Sequence, residues 1–200
     1  MMDSVLTGEK TYLRSLERED LSRTWEWMHR PDVYERIGVS VPFSHSQQEA
    51  WFENLQEAKD KVVLAICRKE DDEHIGNVSL DAIDNRHRNA RISIFLAVPE
   101  ARGKGYGSDA LRIVIRYAFD FLNLHRIWCK TDADDESLVR FYERLGFARE
   151  GTFREHEFKC GRYVDKALWG ILRIGPKPPN HSFPSIPLKG YLLDSTRPNR

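Results

Sequence analysis

Cysteine is scarce in this chain: Cys67, Cys129 and Cys160 are the three present, 62 and 31 residues apart. Neither a disulfide framework nor a zinc site uses that number and spacing. Charge of one sign is not in excess, because 31 basic residues meet 31 acidic ones and the formal net charge is zero. A chain-wide attraction to nucleic acid or to an anionic membrane is therefore not expected. Long hydrophobic runs are missing as well. The longest, Val62 to Cys67, has six residues, against the ~20 needed to span a bilayer. Met1-Met2-Asp3-Ser4 offers neither a basic region nor an apolar stretch, so no secretory signal is expected. The expected setting is reducing and cytoplasmic, with no membrane or nucleic-acid partner and no metal.

Proline is sparse until the end. Six of the nine prolines (Pro176, Pro178, Pro179, Pro184, Pro187, Pro198) fall in the last 25 residues. Proline lacks a backbone donor and disfavours helix in the residue before it, so this stretch forms neither regular helix nor inner strand. Residues 1–174 thus read as one domain and 175–200 as a proline-rich, extended C-terminal tail. That tail still carries Phe183, Ile186, Leu188, Tyr191, Leu192 and Leu193. It reads as a mobile end or as an arm docked on its own domain or a second subunit.

Between these limits the hydrophobic period alternates. Thr11 to Leu16 reads as a strand. A helix follows over Arg18 to His29, with Leu21, Trp25 and Met28 on one face and Pro31 to stop it. Trp51, Phe52, Leu55 and Ala58 mark a second helix. Val62 to Arg68 and Ile75 to Ile83 read as strands joined by a charged turn at 70–73. Ile92 to Val98 is a nearly continuous apolar run before Pro99, the pattern of a strand buried on both faces. Ala110/Leu111, Val114/Ile115 and Ala118/Phe119 recur every four residues within Gly105 to Leu122, which predicts an amphipathic helix. Ile127 to Thr131 is a short strand. Leu138, Phe141, Tyr142 and Leu145 form a helix that Gly146 ends as a left-handed cap. Phe147 to Phe158 and Tyr163 to Ile174 close the pattern, turned at Cys160-Gly161. The order β-α-α-β-β-β-α-β-α-β-β implies a mixed α/β layer structure.

Chemistry concentrates at Val98-Pro99-Glu100-Ala101-Arg102-Gly103-Lys104-Gly105-Tyr106-Gly107-Ser108. A strand runs here into a basic, glycine-rich turn that opens a helix. Free N–H groups and the positive dipole end make such an opening an anion site. Glycine at 103, 105 and 107 removes side chains that would hold a phosphate away, while Arg102 and Lys104 add charge. The sequence is not a P-loop, because Gly105 follows Lys104. It is not a dinucleotide fingerprint either, because Ser108 stands at the last glycine position. By spacing alone, the glycines could equally serve only a steep strand-to-helix bend.

Arg102-x-x-Gly105-x-Gly107 between a strand and a helix resembles the acetyl-CoA pyrophosphate motif of the GNAT N-acetyltransferases. A second segment agrees. Asp135 through Gly146-Phe147, with Leu138 and Tyr142 inside it, is similar to that family's late N-x-x-A-x-x-x-Y-x-x-x-G-F helix. Gly151, Arg154-Glu155, Gly161-Arg162-Tyr163-Val164-Asp165 and Leu16-Glu17-Arg18-Glu19-Asp20 resemble the branch holding the ribosomal-protein N-terminal acetyltransferases and the spermidine acetyltransferases. The likeness covers about 10–174.

The resemblance implies a mostly antiparallel sheet, splayed between its fourth and fifth strands and flanked by helices on both faces. It implies acetyl-CoA as co-substrate, with its pantetheine arm in the gap beside Phe95, Leu96, Ala97 and Val98, one of whose amides polarises the thioester carbonyl. Residues 102–108 would take the diphosphate, Asp135 and Ser137 would flank the cofactor, and Tyr142 would be the acid that protonates the leaving thiolate. Direct transfer to a primary amine follows, with a protein N-terminus favoured over a small amine such as a polyamine, amino sugar or aminoglycoside. A non-catalytic acyl-CoA-binding protein on this fold is the competing class, and relatives are often homodimers.

Two positions depart from the family pattern. Asp135 replaces the usual asparagine and, when ionised, only accepts hydrogen bonds. Arg91 stands where many relatives carry a glutamate, so the proton acceptor is sought instead among Asp81, Asp84 and Glu155. Val39-Ser40-Val41-Pro42-Phe43 lacks the carboxylates that the spermidine enzymes place between their first helices. His156-Glu157-Phe158-Lys159-Cys160 lacks the second histidine of a zinc-protease helix, and Ser137 replaces the glycine that a calcium loop through Asp132, Asp134 and Glu136 needs.

Overall fold

The computed structural model describes residues 6–33, 42–159 and 161–173. The expected tail lies outside the described residues, as do Cys160 and the segment around Val39. Strand β1 spans Thr11–Ser15 and leads through a 3-10 turn, Arg18–Asp20, into helix α1, Leu21–Met28. One continuous helix was expected here. The break comes at Asp20, whose carboxylate turns back to accept from the Glu17 amide at 2.9 Å. Pro31 then opens a further helical turn, described through Val33, a position where its missing N–H costs nothing.

Helix α2 spans His45–Glu57, starting six residues before its first apolar marker. Ser44 starts it with a reciprocal cap, its hydroxyl accepting from the Gln47 amide while the Gln47 side chain accepts from the Ser44 amide. Strands β2 (Val62–Arg68), β3 (His74–Asp84) and β4 (Asn89–Leu96) follow, then helix α3 (Tyr106–Asp120), strand β5 (Arg126–Asp132), helix α4 (Glu136–Arg144) and strands β6 (Ala148–Lys159) and β7 (Arg162–Leu172). Gly146, at φ +88°, turns the chain out of α4 in the expected left-handed conformation.

The seven strands form one sheet in the order β1-β2-β3-β4-β5-β7-β6. Every neighbouring pair is antiparallel except β4 and β5, which run parallel. That parallel pair holds over only three register positions, Asn89 with Arg126, Ala90 with Ile127 and Arg91 with Trp128. Beyond Arg91 strand β4 stays with β3, while β5 stays with β7 as far as Asp132. The sheet therefore splits into a V at its centre, as the resemblance implied.

Helices α3 and α4 cover one face. Leu64, Ile66, Val78, Leu80, Ile92, Ile127 and Cys129 from the sheet pack there with Leu111, Val114 and Tyr142. At about 1.5–3 kcal/mol for each fully buried large aliphatic side chain, this layer supplies most of the apolar driving force. The opposite face carries a smaller cluster of Leu16, Leu21, Phe52, Ala65 and Cys67 under α1 and α2.

Strand β4 corrects one expectation. It begins at Asn89 and ends at Leu96, earlier at both ends than the apolar run, and it is not buried on both faces. Ser93 is exposed, and Ile94, Phe95 and Leu96 are half-buried because the splay leaves their β5 side uncovered. Ala97 and Val98 have left the ladder, both amides donating to the Ile75 carbonyl at 2.9 and 3.3 Å. Strand β6 is a second surprise, exposed on both faces from Ala148 through His156.

Candidate functional site

The V between β4 and β5 points at the start of α3. Gly105 is the residue preceding that helix, at φ +90° and ψ −4°, and Gly103 sits at φ +74°. L side chains pay a steric penalty in this region, so these two positions demand glycine. The Asp109 amide donates to the Gly105 carbonyl at 3.0 Å. Amides of Tyr106, Gly107 and Ser108 precede it in the first turn, without an intrahelical acceptor. A Cβ on Gly103 would meet nothing within 4 Å. The loop is thus an open backbone cradle at the positive end of a 15-residue helix, and it fits a diphosphate. Gly107 packs differently: its Cβ position lies 3.6 Å from Leu96, 3.8 Å from Ile94 and 3.8 Å from Phe141. These apolar groups line the V on its α3 side.

Three residues that the sequence did not single out hold this cradle. Asp109, 8% exposed, accepts from the amides of Glu9 (3.1 Å), Lys10 (3.0 Å) and Thr11 (2.8 Å) and from the Thr11 hydroxyl (2.8 Å). Burial opposes its charge, but these donors outweigh it and hold its pKa below the ordinary carboxylate value. The start of α3 is thereby tied to β1. Lys10 then reaches over the loop, its Nζ donating to the Lys104 carbonyl at 2.9 Å. Tyr106 lies between Lys10 and Arg68, 6.0 and 5.9 Å from its ring centre. Lys104 itself is exposed. Asp32 is the third: it accepts from Arg102 at 2.7 Å, while Arg102 Nε donates to the Leu96 carbonyl at 3.0 Å. Arg102 therefore clamps the end of β4 to the residues after α1. No local pattern announces these contacts, because every partner but Leu96 lies tens of residues away.

The backbone groups expected to face the gap divide. The Ala97 and Val98 amides are committed to Ile75, and the Phe95 carbonyl lies over Gly76, 2.2 Å from where a Cβ would stand. All three face β3. Ladder groups alternate between the two edges of a strand, which leaves Leu96 as the residue turned toward the open side.

Asp135 caps α4. Its Oδ1 accepts from the Ser137 amide (2.9 Å), the Ser137 hydroxyl (2.5 Å) and the Leu138 amide (3.2 Å). In all three contacts it is the acceptor, so aspartate caps this helix as well as asparagine would. Tyr142 projects from α4 into the core, 5% exposed. Its ring meets Phe141 and Phe147 edge-on and lies nearly parallel to Trp169. Its hydroxyl lies near the Cys129 thiol of β5, the strand that borders the V. Burial, followed by that thiol, raises the phenol pKa well above its usual value. Burial pushes the thiol itself up to about 12. Both groups hold their protons at neutral pH, the state a proton donor requires.

On the opposite face of the V stand Trp27, Phe95 and Trp128. Trp27 meets Phe95 edge-on at 6.4 Å and His74 at 4.8 Å. His74, 2% exposed, lies 3.2 Å from Asp20 and 2.7 Å from Asn77. Burial pushes its pKa down. Asp20 resists its own burial through Arg14 and the Glu17 amide and is held at about 2.

The three carboxylates considered as proton acceptors separate in space. Asp84 is occupied by the amides of Arg86 and His87 at the β3–β4 turn. Glu155 sits on the exposed hairpin at φ +49°. Asp81 lies on the V's acceptor face, paired with Lys61, Arg91 and the Ser79 hydroxyl. Among the described residues, no group of three His, Cys, Asp or Glu could hold a metal ion, and no helix is long and apolar enough to cross a membrane.

Residues 10–148 match the acetyltransferase (GNAT) domain family. The spermidine N(1)-acetyltransferase of Vibrio cholerae is 33% identical over 178 residues, covering 86% of this chain and 95% of that protein. The crystal structure of spermidine N-acetyltransferase from Vibrio cholerae with CoA and spermine superposes with a TM-score of 0.77 at 28% identity, over 82% of this chain and 95% of that one. A dodecameric structure of the Vibrio enzyme, described as an intermediate state, gives 0.71 at 28% identity, over 82% and 94%. The split sheet, the amide cradle and these likenesses agree: the chain belongs to the GNAT acetyltransferases, the N-acetyltransferases that draw their acetyl group from acetyl-CoA.

Proposed function

We propose that this enzyme moves the acetyl group of acetyl-CoA directly to the primary amine of a small molecule. The observation that carries the reading is the V-shaped opening between β4 and β5, which leads to the amide cradle at Gly103–Ser108. In this reading the cradle and the dipole of α3 receive the diphosphate. The Leu96 amide faces the thioester carbonyl and stabilises the oxyanion formed when a neutral amine attacks. Tyr142 gives its proton to the departing thiolate, its raised pKa keeps that proton in place until then, and the attacking nitrogen releases its own proton to solvent water as the amide forms. Ile94, Leu96 and Phe141 keep the reacting end dry on the α3 side.

The relatives that support a small acceptor are spermidine enzymes. A protein N-terminus, expected from the arrangement of motifs, gains no support from them and is set aside. We also read the enzyme as self-associating. The β6–β7 hairpin exposes Phe153, Phe158 and Tyr163 on an edge of the sheet, a surface that another copy would cover, and the similar Vibrio enzyme is dodecameric. The cytoplasm suits the unpaired thiols of Cys67 and Cys129.

Thiol release from acetyl-CoA with a panel of small amines tests the reaction. Tyr142→Phe should lower kcat by about 10²–10⁴-fold while the KM for acetyl-CoA stays nearly unchanged. Equal loss of acetyl-CoA binding would make Tyr142 a packing residue and remove it from the chemistry.

A further inference from the structure

We infer that the acceptor amine also carries a carboxylate, read by Arg91 at the vertex of the V. This rests on the transfer reaction proposed above and names its substrate class. Arg91 is opposite Trp128 at the last register position before β4 and β5 part. Its neighbours Ala90 and Ile92 enter the α3 side of the core, which places Arg91 on the acceptor face, along with Phe95.

The guanidinium there is poorly satisfied. Among the described residues its only ion pair is a long one, 3.6 Å to Asp81, and the side chain is 44% exposed. Its Nε is buried without a hydrogen-bond partner among the described residues. Asp81 is already shared with Lys61 at 3.2 Å and with the Ser79 hydroxyl at 2.8 Å. One carboxylate thus faces two cations. Five guanidinium donors in a planar fork match a carboxylate.

The other arm of the V repeats the imbalance. Lys130 stands two residues beyond Trp128 on the same face of β5. With Lys159 and Lys166 it makes three cations, bound to two carboxylates, Asp132 and Glu157. Each of these two ion-pair clusters therefore has one more cation than carboxylate. That field opposes a polycation and favours an amine whose far end is negative.

The test compares kcat/KM for thiol release with proteinogenic amino acids and short ω-amino carboxylates, each against its own carboxamide, and with spermidine. The full chain should prefer at least one carboxylate over its carboxamide by about 10–100-fold. Arg91→Gln should remove that preference through KM, with kcat and the KM for acetyl-CoA within about twofold. Arg91→Lys should retain part of the preference. The wild-type ratio needs no variant, so it decides even if a substitution fails to fold. Spermidine as the better substrate, or carboxylate and carboxamide used equally, would overturn the inference and leave the transfer reaction standing. Absence of thiol release with every amine would overturn the transfer reaction and, with it, the subsite.

Discussion

Removal of the Asp109 carboxylate is the sharpest test of how the cradle is held. Its two oxygens accept four hydrogen bonds, and the division is unequal. Oδ2 takes the Lys10 amide, the Thr11 amide and the Thr11 hydroxyl, and Oδ1 takes the Glu9 amide. In Asp109→Ala the buried Thr11 amide is left without an acceptor, at about 1–3 kcal/mol, and the two half-buried amides lose about 0.5–1.5 kcal/mol each. The sum is about 2–6 kcal/mol, a large share of the ~5–15 kcal/mol that holds a domain together. Asp109→Asn is the discriminating partner. With its carbonyl oxygen in the Oδ2 position it keeps three bonds and turns an NH₂ toward the Glu9 amide, so about 1–2 kcal/mol is lost. Urea unfolding monitored by tryptophan fluorescence measures both. Because the same contact aligns the start of α3, the asparagine variant should also raise the KM for acetyl-CoA more than it lowers kcat. An alanine variant within about 1 kcal/mol of wild type, or one as stable as the asparagine variant, would refute the argument.

Two further outcomes follow from the same structure. Gly105→Ala should cost about 1–2 kcal/mol of stability, because φ +90° is strained for any L side chain. The nearest obstacle to the new Cβ is the flexible Lys10 ammonium at 3.4 Å. Calorimetric titration should show weaker acetyl-CoA binding in the folded variant, and unchanged binding would remove the cradle from cofactor recognition. Stability should also decline as pH falls below about 6.5. The unfolded chain then protonates His74, which burial keeps neutral in the native state. Asp20, held at about 2 when folded, adds a second loss as pH falls through the ordinary carboxylate range toward that value. Urea midpoints at several pH values measure this. His74→Gln should flatten the upper part of the slope, and a flat wild-type profile would sink the reading.

Legibility differed from element to element for physical reasons. Helices α3 and α4 were readable because their apolar residues recur at helical spacing and each packs one face against the sheet. The limits of β4 were misread because apolar side chains that line an open gap look, in one dimension, like those buried on both faces. The start of α2 was missed because its cap, Ser44 with Gln47, is a side-chain arrangement ahead of the apolar residues that mark the helix. In the site, glycines 103 and 105 were found because a left-handed backbone demands them. Arg102 was found as a cation, yet its actual partners, Leu96 and Asp32, came only with the fold.

The amino-acid order alone determined the alternation of strands and helices, the glycine turn before α3, the capped helix bearing Tyr142 and the family to which they point. Local forces decide all of these: backbone sterics, helical period and capping act within a few residues. Tertiary structure alone decided that β4 and β5 part after Arg91, that Asp109 ties α3 to β1, and that Tyr142 meets Cys129. It also gathered, on each arm of the opening, an ion-pair cluster with one more cation than carboxylate. Those contacts join residues distant in the chain, and their strength depends on burial, which exists only once the layers have packed.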